Sequence, residues 1–395
     1  MHRAHPTTRR GFLQSASAAA AATLIPIRVS RAAGSAAAAG QNLDIGRIEY
    51  SFPMLGDIHY DQWAHHDMDW VKKEKPNDIR QIENYVEVSN EFTPRLLNLT
   101  RRLIADSNSP VPFAVQIGDF VEGLCGSYEL QALQSREAIE LVEGTNLGAP
   151  MLMTKGNHDI TGPGADQAFD DVLLPWMAKQ AGRKLDSANY HVRHGDDLFV
   201  FFDAYKPDLD FVEQAMANEP ARHRFFIVHP PVVPYNARAN WHVFDRDSQK
   251  QERRRLIDLL SRHEAVVLGG HLHKYSLLER RSDVGRFTQL AVSSVIRREH
   301  YNPGQVLNGI EHYTPETLLD LNPDFSPSSR DDRRAWVERE QPHISRFHYA
   351  RTAGLAMVHV GTHGVAGTIY NGLEREPWRE QVIAPAKAQV SAMTR

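Results

Sequence analysis

From about Leu43 onward, apolar and polar positions follow two rhythms along the chain. Short apolar runs, which predict strands, alternate with stretches where apolar residues recur every three or four positions, which predict helices. The expected strands are residues 48–55, 112–117, 150–154, 190–193, 198–203, 224–228, 265–268, 287–292 and 355–360, the last belonging to a strand-like run that returns to the core by Tyr370. The expected helices are residues 91–107, 128–142, 208–217 and 249–262. Alternation of this kind is the mark of a layered α/β fold. There is no internal repeat and no apolar stretch long enough to cross a bilayer. One region breaks the pattern. Residues 297–351 are polar, rich in Asp, Arg, Pro and Ser, and weakly periodic; they are expected to be an insertion that forms either a lid beside a site or a solvated loop.

The ends of the strands carry the chemistry. Three predicted strands run into Gly56-Asp57-Ile58-His59, Gly118-Asp119 and Gly156-Asn157-His158-Asp159. Two more end at His229 and at Gly270-His271-Leu272-His273. In open α/β sheets ligands sit at the carboxyl ends of strands, where loops converge. Five strand ends thus send metal-type side chains to one edge.

Composition adds a leader and a charge. With 395 residues the chain can bury a large core, and its 20 histidines are about twice the average usage. The first forty residues hold no acid, begin with Thr8-Arg9-Arg10-Gly11-Phe12-Leu13-Gln14, and continue through an Ala-rich stretch to small residues at 36–40. This resembles a twin-arginine signal peptide, with residues 1–40 removed and a mature domain from residue 43 to 395. It implies the twin-arginine export machinery as a partner and a periplasmic or secreted location without a permanent membrane anchor. Loss of Arg3, Arg9, Arg10, Arg28 and Arg31 takes the formal charge from −4 to about −9. So acidic a chain lacks the basic field that polymeric nucleic acid needs, which leaves a small substrate. The only cysteine, Cys125, can form no internal disulfide; an exported protein of this kind must draw its stability from its core and from metal. Cys125 is expected at a packed helix start, and His65 and His66 at the surface.

Two cations a few ångströms apart need a shared anionic ligand, and Asp119 is the natural bridge. Mixed carboxylate and imidazole ligands suit Mn, Fe or Zn, and no thiolate is present to favour softer ions. Residues two apart on extended backbone point the same way, so Asp57 and His59 can face one centre. The ordered blocks Asp-x-His, Gly-Asp, Gly-Asn-His-Asp, a lone His and Gly-His-x-His resemble the calcineurin-like metallophosphoesterase superfamily over roughly residues 48–274. The resemblance implies a four-layer α/β/β/α sandwich of two mixed sheets flanked by helices, with the metals at strand ends. It also implies one metal ion on Asp57, His59, Asp119 and His273 and another on Asp119, Asn157, His229 and His271. His158 would stand beside the substrate phosphate as the acid for the leaving group, with Asp159 orienting it. A hydroxide between the metals would attack a phosphoester.

The departures from the family pattern help to place the chain. Glu122 stands where purple acid phosphatases carry a tyrosine ligand, and His59 is present where they lack a histidine; both bring the chain nearer the bacterial cyclic-nucleotide and glycerophosphodiester phosphodiesterase branch. A phosphodiester substrate is therefore expected. The alternatives are a phosphomonoesterase or nucleotidase on the same site, a hydrolase of a non-phosphate ester, and a metal-bound binding protein that has lost turnover. Beyond His229, Trp241 could stack on a base or sugar and Arg238 could hold a phosphate, although packing of the loop onto the body is the more usual task for a Trp.

Overall fold

Two β-sheets face one another across a layer of aromatic side chains, with helices on their outer faces. The computed structural model describes residues 44–298, 302–323 and 328–385, and the signal-like segment 1–40 lies outside them. In chain order the described strands are β1 (Ile48–Leu55), β2 (Ala114–Gln116), β3 (Met151–Met153), β4 (Tyr190–His194), β5 (Asp197–Phe202), β6 (Arg224–Val228) and β7 (Val266–Gly269), followed by β8 (Tyr275–Ser282), β9 (Gly285–Ala291), β10 (Gly304–Asn308), β11 (Ile344–Arg351), β12 (Gly354–Gly361), β13 (Val365–Asn371) and β14 (Pro377–Ala384). One sheet has the order β14-β13-β12-β1-β2-β3 and the other β10-β11-β8-β9-β7-β6-β5-β4. Both are mixed: β1, β2 and β3 run parallel, as do β5, β6, β7 and β9, while the remaining neighbours are antiparallel.

The period of two along β5 shows how the layers divide. Phe199 and Phe201 turn to the opposite sheet; Phe199 meets Phe52 of that sheet's β1 edge-on at 5.6 Å and stacks on Phe225 of its own neighbour β6 at 4.5 Å. Leu198, Val200 and Phe202 turn outward, to a second core shared with the helices Leu209–Asn218 and Lys250–Arg262. The first sheet is covered by the helices Thr93–Ala105, through Leu96, Leu97 and Leu103, and Tyr128–Thr145, through Ala138 and Val142.

Register brings the strand ends level. Leu55 of β1 pairs with Gln116 of β2, which pairs with Met153 of β3, and Ile227 of β6 pairs with Leu268 of β7. The loops that follow therefore leave side by side.

Every expected strand and helix is present, with ends shifted by a few residues. The run expected to continue to Tyr370 turns back on itself, forming the hairpin β12–β13 with His359 opposite Ala366. β8, β10, β11 and β14 were not expected. They are antiparallel, and charged or polar side chains interrupt their apolar positions, as in Glu279-Arg280-Arg281 of β8, which blurs the apolar run that marks a buried strand. The weakly periodic region supplies β10 and β11 and a helix, Arg330–Glu340. That helix is fastened to the body by Glu340, which is 1% exposed and accepts hydrogen bonds from Arg253 and Arg280, each at 2.7 Å. Among the described residues no helix is long and apolar enough to cross a membrane.

Candidate metal centre

The loops after β1, β2, β3, β6 and β7 converge on a cleft of about 1040 Å³. The backbone bends hard to make this possible. His59, Asp119, His271 and His273 all hold left-handed conformations, with φ of 47°, 50°, 67° and 53°, which bulky residues keep only when their surroundings impose it. Gly156 lets the loop after β3 pass against Asp119, since a Cβ there would lie 2.2 Å from Asp119 Oδ1.

Six of the expected residues bring their ligand atoms together. Ligand atoms of Asp57, His59, Asp119 and His273 lie within 4.8 Å of one another, as do those of Asp119, His229 and His271, so the two groups share Asp119. His229 donates through Nδ1 to the Ile117 carbonyl at 2.7 Å, which turns Nε2 to Asp119 Oδ2, 2.9 Å away. His59 places Nδ1 on Glu122 Oε2 at 2.8 Å and Nε2 3.6 Å from Asp119 Oδ2. Its ring also stacks on Tyr85 at 4.1 Å. Asn157 lines the cleft, and its Oδ1 accepts from the Tyr205 hydroxyl at 3.3 Å.

Fit to cations can be judged from the buried atoms. Asp57 is fully buried; its Oδ1 accepts the His271 N–H at 2.8 Å, while Oδ2 has no hydrogen-bond partner. A buried carboxylate oxygen left bare costs several kcal/mol, of order 1–3 or more, unless something electropositive meets it. Imidazole nitrogens face one another at 3.0 Å (His59 and His273) and 3.1 Å (His271 and His229), as lone pairs directed at a common cation would. Burial disfavours a charge on His229, yet the Asp119 and Asp57 carboxylates overcome it and lift its pKa to about 9. The same burial, with His229 beside it, drops His271 to about 3. The spot attracts positive charge, and its donor set of carboxylates, imidazoles and one amide suits divalent transition ions.

His158 stands at the cleft, its Nδ1 donating to the Glu122 carbonyl at 2.7 Å and lying 3.4 Å from Glu122 Oε2. Its other nitrogen is thereby the one available to a substrate. Asp159 does not orient this ring, contrary to expectation. Its carboxylate points inward, accepting from the backbone N–H groups of Phe120 (2.8 Å), Val121 (3.1 Å) and Gly156 (2.8 Å). It ties the second and third loops together, and burial with Asp119 nearby raises its pKa to about 7. Glu122 does the orienting. Burial and the charge of Asp61 push its carboxyl up, and Gln81 donates to its second oxygen at 2.6 Å.

His65 and His66, expected at the surface, are buried. His66 bridges Asp61 Oδ1 (2.8 Å) and the Leu124 carbonyl (3.0 Å), and His65 meets Glu137 at 2.9 Å, so both brace the first loop. Cys125 is buried just before the helix Tyr128–Thr145, as expected. Trp241 both packs on the outer core and lines the cleft, its ring 5.6 Å from that of His271. Tyr85 and Tyr205 carry no motif signal. Tyr85 lies on a helix, Ile79–Glu91, that the polar character of its exposed face hid. Glu122 is marked in the sequence as the residue three after the bridging Asp119, but its role beside His158 and His59 is not.

A family model described as calcineurin-like phosphoesterase matches residues 53–275. No curated protein sequence matches the chain. Among solved structures it is similar to a dimetal phosphatase from Danio rerio, with 11% identity over 86% of this chain and 100% of that one and a TM-score of 0.51. Also similar are GAP50, the anchor in the inner membrane complex of Plasmodium (12% identity, 87% and 91% covered, TM-score 0.48), and a purple acid phosphatase from yellow lupin, Lupinus luteus, seeds (12%, 86% and 54%, TM-score 0.48).

Proposed function

This chain belongs to the calcineurin-like phosphoesterase family, and on that premise we propose that it is a dinuclear metal-dependent hydrolase of phosphodiesters. The observation that carries the reading is the pair of ligand groups joined through Asp119 and lining the cleft, with the Asp57 Oδ2 atom left bare among imidazoles. Asp57, His59, Asp119 and His273 would hold one ion, and Asp119, Asn157, His229 and His271 the other. Bound there, two Mn, Fe or Zn ions would lower the pKa of a water molecule and offset charge building on the phosphoryl oxygens.

The remaining work falls to side chains of this chain. His158, held by Glu122 through Nδ1, presents Nε2 to the departing oxygen and delivers a proton to it. Tyr205 and Gly156 keep Asn157 and Asp119 in place, the first by a hydrogen bond and the second by close approach. Export in the folded state through the twin-arginine route is part of the same proposal and is in keeping with a lone buried Cys125.

The test is hydrolysis of bis(p-nitrophenyl) phosphate and p-nitrophenyl phosphate by protein as purified, stripped of metal, and reloaded with Mn, Fe or Zn. Metal-dependent diester cleavage that vanishes in Asp119→Ala is expected. Preference for the monoester would overturn the diesterase reading, and no cleavage with any metal would overturn the hydrolase reading.

A further inference from the structure

The loop after β3 buries a cation that has no part in the chemistry proposed above. Lys155, two residues before Asn157, is 1% exposed, as is Asp203, and its ammonium lies 2.8 Å from Asp203 Oδ2. The same ammonium sits over the Phe169 ring, 4.3 Å from its centre. The two charges belong to different sheets: Lys155 follows β3 of the six-stranded sheet, and Asp203 directly follows β5 of the eight-stranded one. A buried ion pair is a weak source of stability, because the desolvation of two charges offsets much of their attraction, and packed apolar residues of similar volume often serve a core as well. What an apolar pair could not supply is the second carboxylate oxygen.

Asp203 Oδ1 accepts the backbone N–H groups of Tyr205 at 2.9 Å and of Lys206 at 3.0 Å, which closes the turn after β5. That turn aims the Tyr205 hydroxyl at Asn157 Oδ1, 3.3 Å away. Asn189 braces it from the other side, accepting from the Asp203 N–H at 2.9 Å and donating to the Lys206 carbonyl at 2.8 Å. The outer pairs of Lys206 with Asp166 and Asp170 are about half exposed and add little. A circuit of contacts thus leaves the loop after β3 at Lys155, crosses to the other sheet through Asp203 and its turn, and returns through Tyr205 to Asn157. The Asn157 backbone is held separately, its carbonyl accepting from Thr161 Oγ1 at 2.7 Å, so the circuit bears on the side chain. An amide oxygen has two lone pairs; the Tyr205 hydroxyl engages one and leaves the other for a cation.

We propose that Lys155 and Asp203 are positioning residues for one ion of the two, the one that Asn157 would share with His229 and His271, and that they act by fixing the Asn157 amide through Tyr205. This rests on the dinuclear reading above and adds to it a support that distinguishes the two ion sites.

Calorimetric titration of metal-stripped protein with Mn(II) reads both ions, and the unaltered protein should take up two. Lys155→Met combined with Asp203→Asn removes both charges and strands neither; Asp203→Glu keeps both and moves the carboxylate away from the turn. In each of these, and in Tyr205→Phe, one Mn(II) affinity should fall at least about tenfold while the other changes less than about threefold. Tyr205→Phe added to Lys155→Met with Asp203→Asn should cost no more than the larger single effect, since both act along one path. A tie that is merely structural would instead lower the urea midpoint of the chelated protein and weaken both ions alike or neither. Any pattern without a selective loss at one ion in both Asp203 variants would overturn the proposal. Uptake of fewer than two Mn(II) ions by the unaltered protein would overturn the dinuclear reading, and this inference with it.

Discussion

At the scale of single residues, His158 lies outside the two ligand groups joined through Asp119, its ring grouped instead with His59 and Glu122, whose ligand atoms lie within 4.8 Å of it. His158 contributes its backbone N–H to Asp119 Oδ1 at 2.8 Å, but its ring turns away, to Glu122. In the proposed mechanism a ring so held acts on the leaving group. Its removal should therefore matter in proportion to how badly the leaving group needs a proton. We expect His158→Ala to cost about 10²–10⁴-fold in kcat on a diester with an alkyl leaving group and far less with p-nitrophenolate. Equal losses on both, measured as kcat against leaving-group pKa, would place His158 in substrate binding instead. The residue types of the centre were legible in the sequence because the motifs are short and local. The orienting partner was not, because Asp159 is adjacent to His158 in the chain while Glu122 reaches it only through the fold.

Elements show the same division between local and long-range information. The strands that carry site loops, β1, β2, β3, β6 and β7, are buried on both faces over most of their length and appear in the sequence as largely apolar runs. The antiparallel strands that close the sheets mix charge with apolar residues, and their place depends on partners far along the chain: β11 pairs with β8, some seventy residues earlier, as Tyr349 does with Ser276. The region 302–351 was illegible for this reason, and its anchor is a buried acid between two arginines. Glu340 meets Arg253 and Arg280, all of them nearly inaccessible. Removing one partner from such a cluster strands the other charges. Glu340→Ala should destabilise the protein by about 3–5 kcal/mol in denaturant unfolding. A loss under about 1 kcal/mol would mean that the helix Arg330–Glu340 is held by its Trp336 and Val337 contacts alone.

The whole molecule divides the candidate ligands between its two sheets. Asp57, His59, Asp119 and Asn157 follow strands of the six-stranded sheet, while His229, His271 and His273 follow strands of the eight-stranded one. Each proposed ion therefore draws ligands from both sheets, and any unfolding that separates the sheets must release it. By linkage, an ion that binds only the folded state adds about 2.7 kcal/mol at a hundred times its Kd, and about 1.4 kcal/mol more for each further tenfold rise in free ion. Chelation should accordingly lower the urea midpoint, and titration with Mn or Zn should restore it in proportion to the logarithm of the free ion. Asp119→Asn, close in shape to the native residue but a weaker bridge, should flatten that dependence. A midpoint that ignores chelator and metal alike would show that the two sheets hold together without ions between their loops, and that the converging carboxylates and imidazoles serve some other charge.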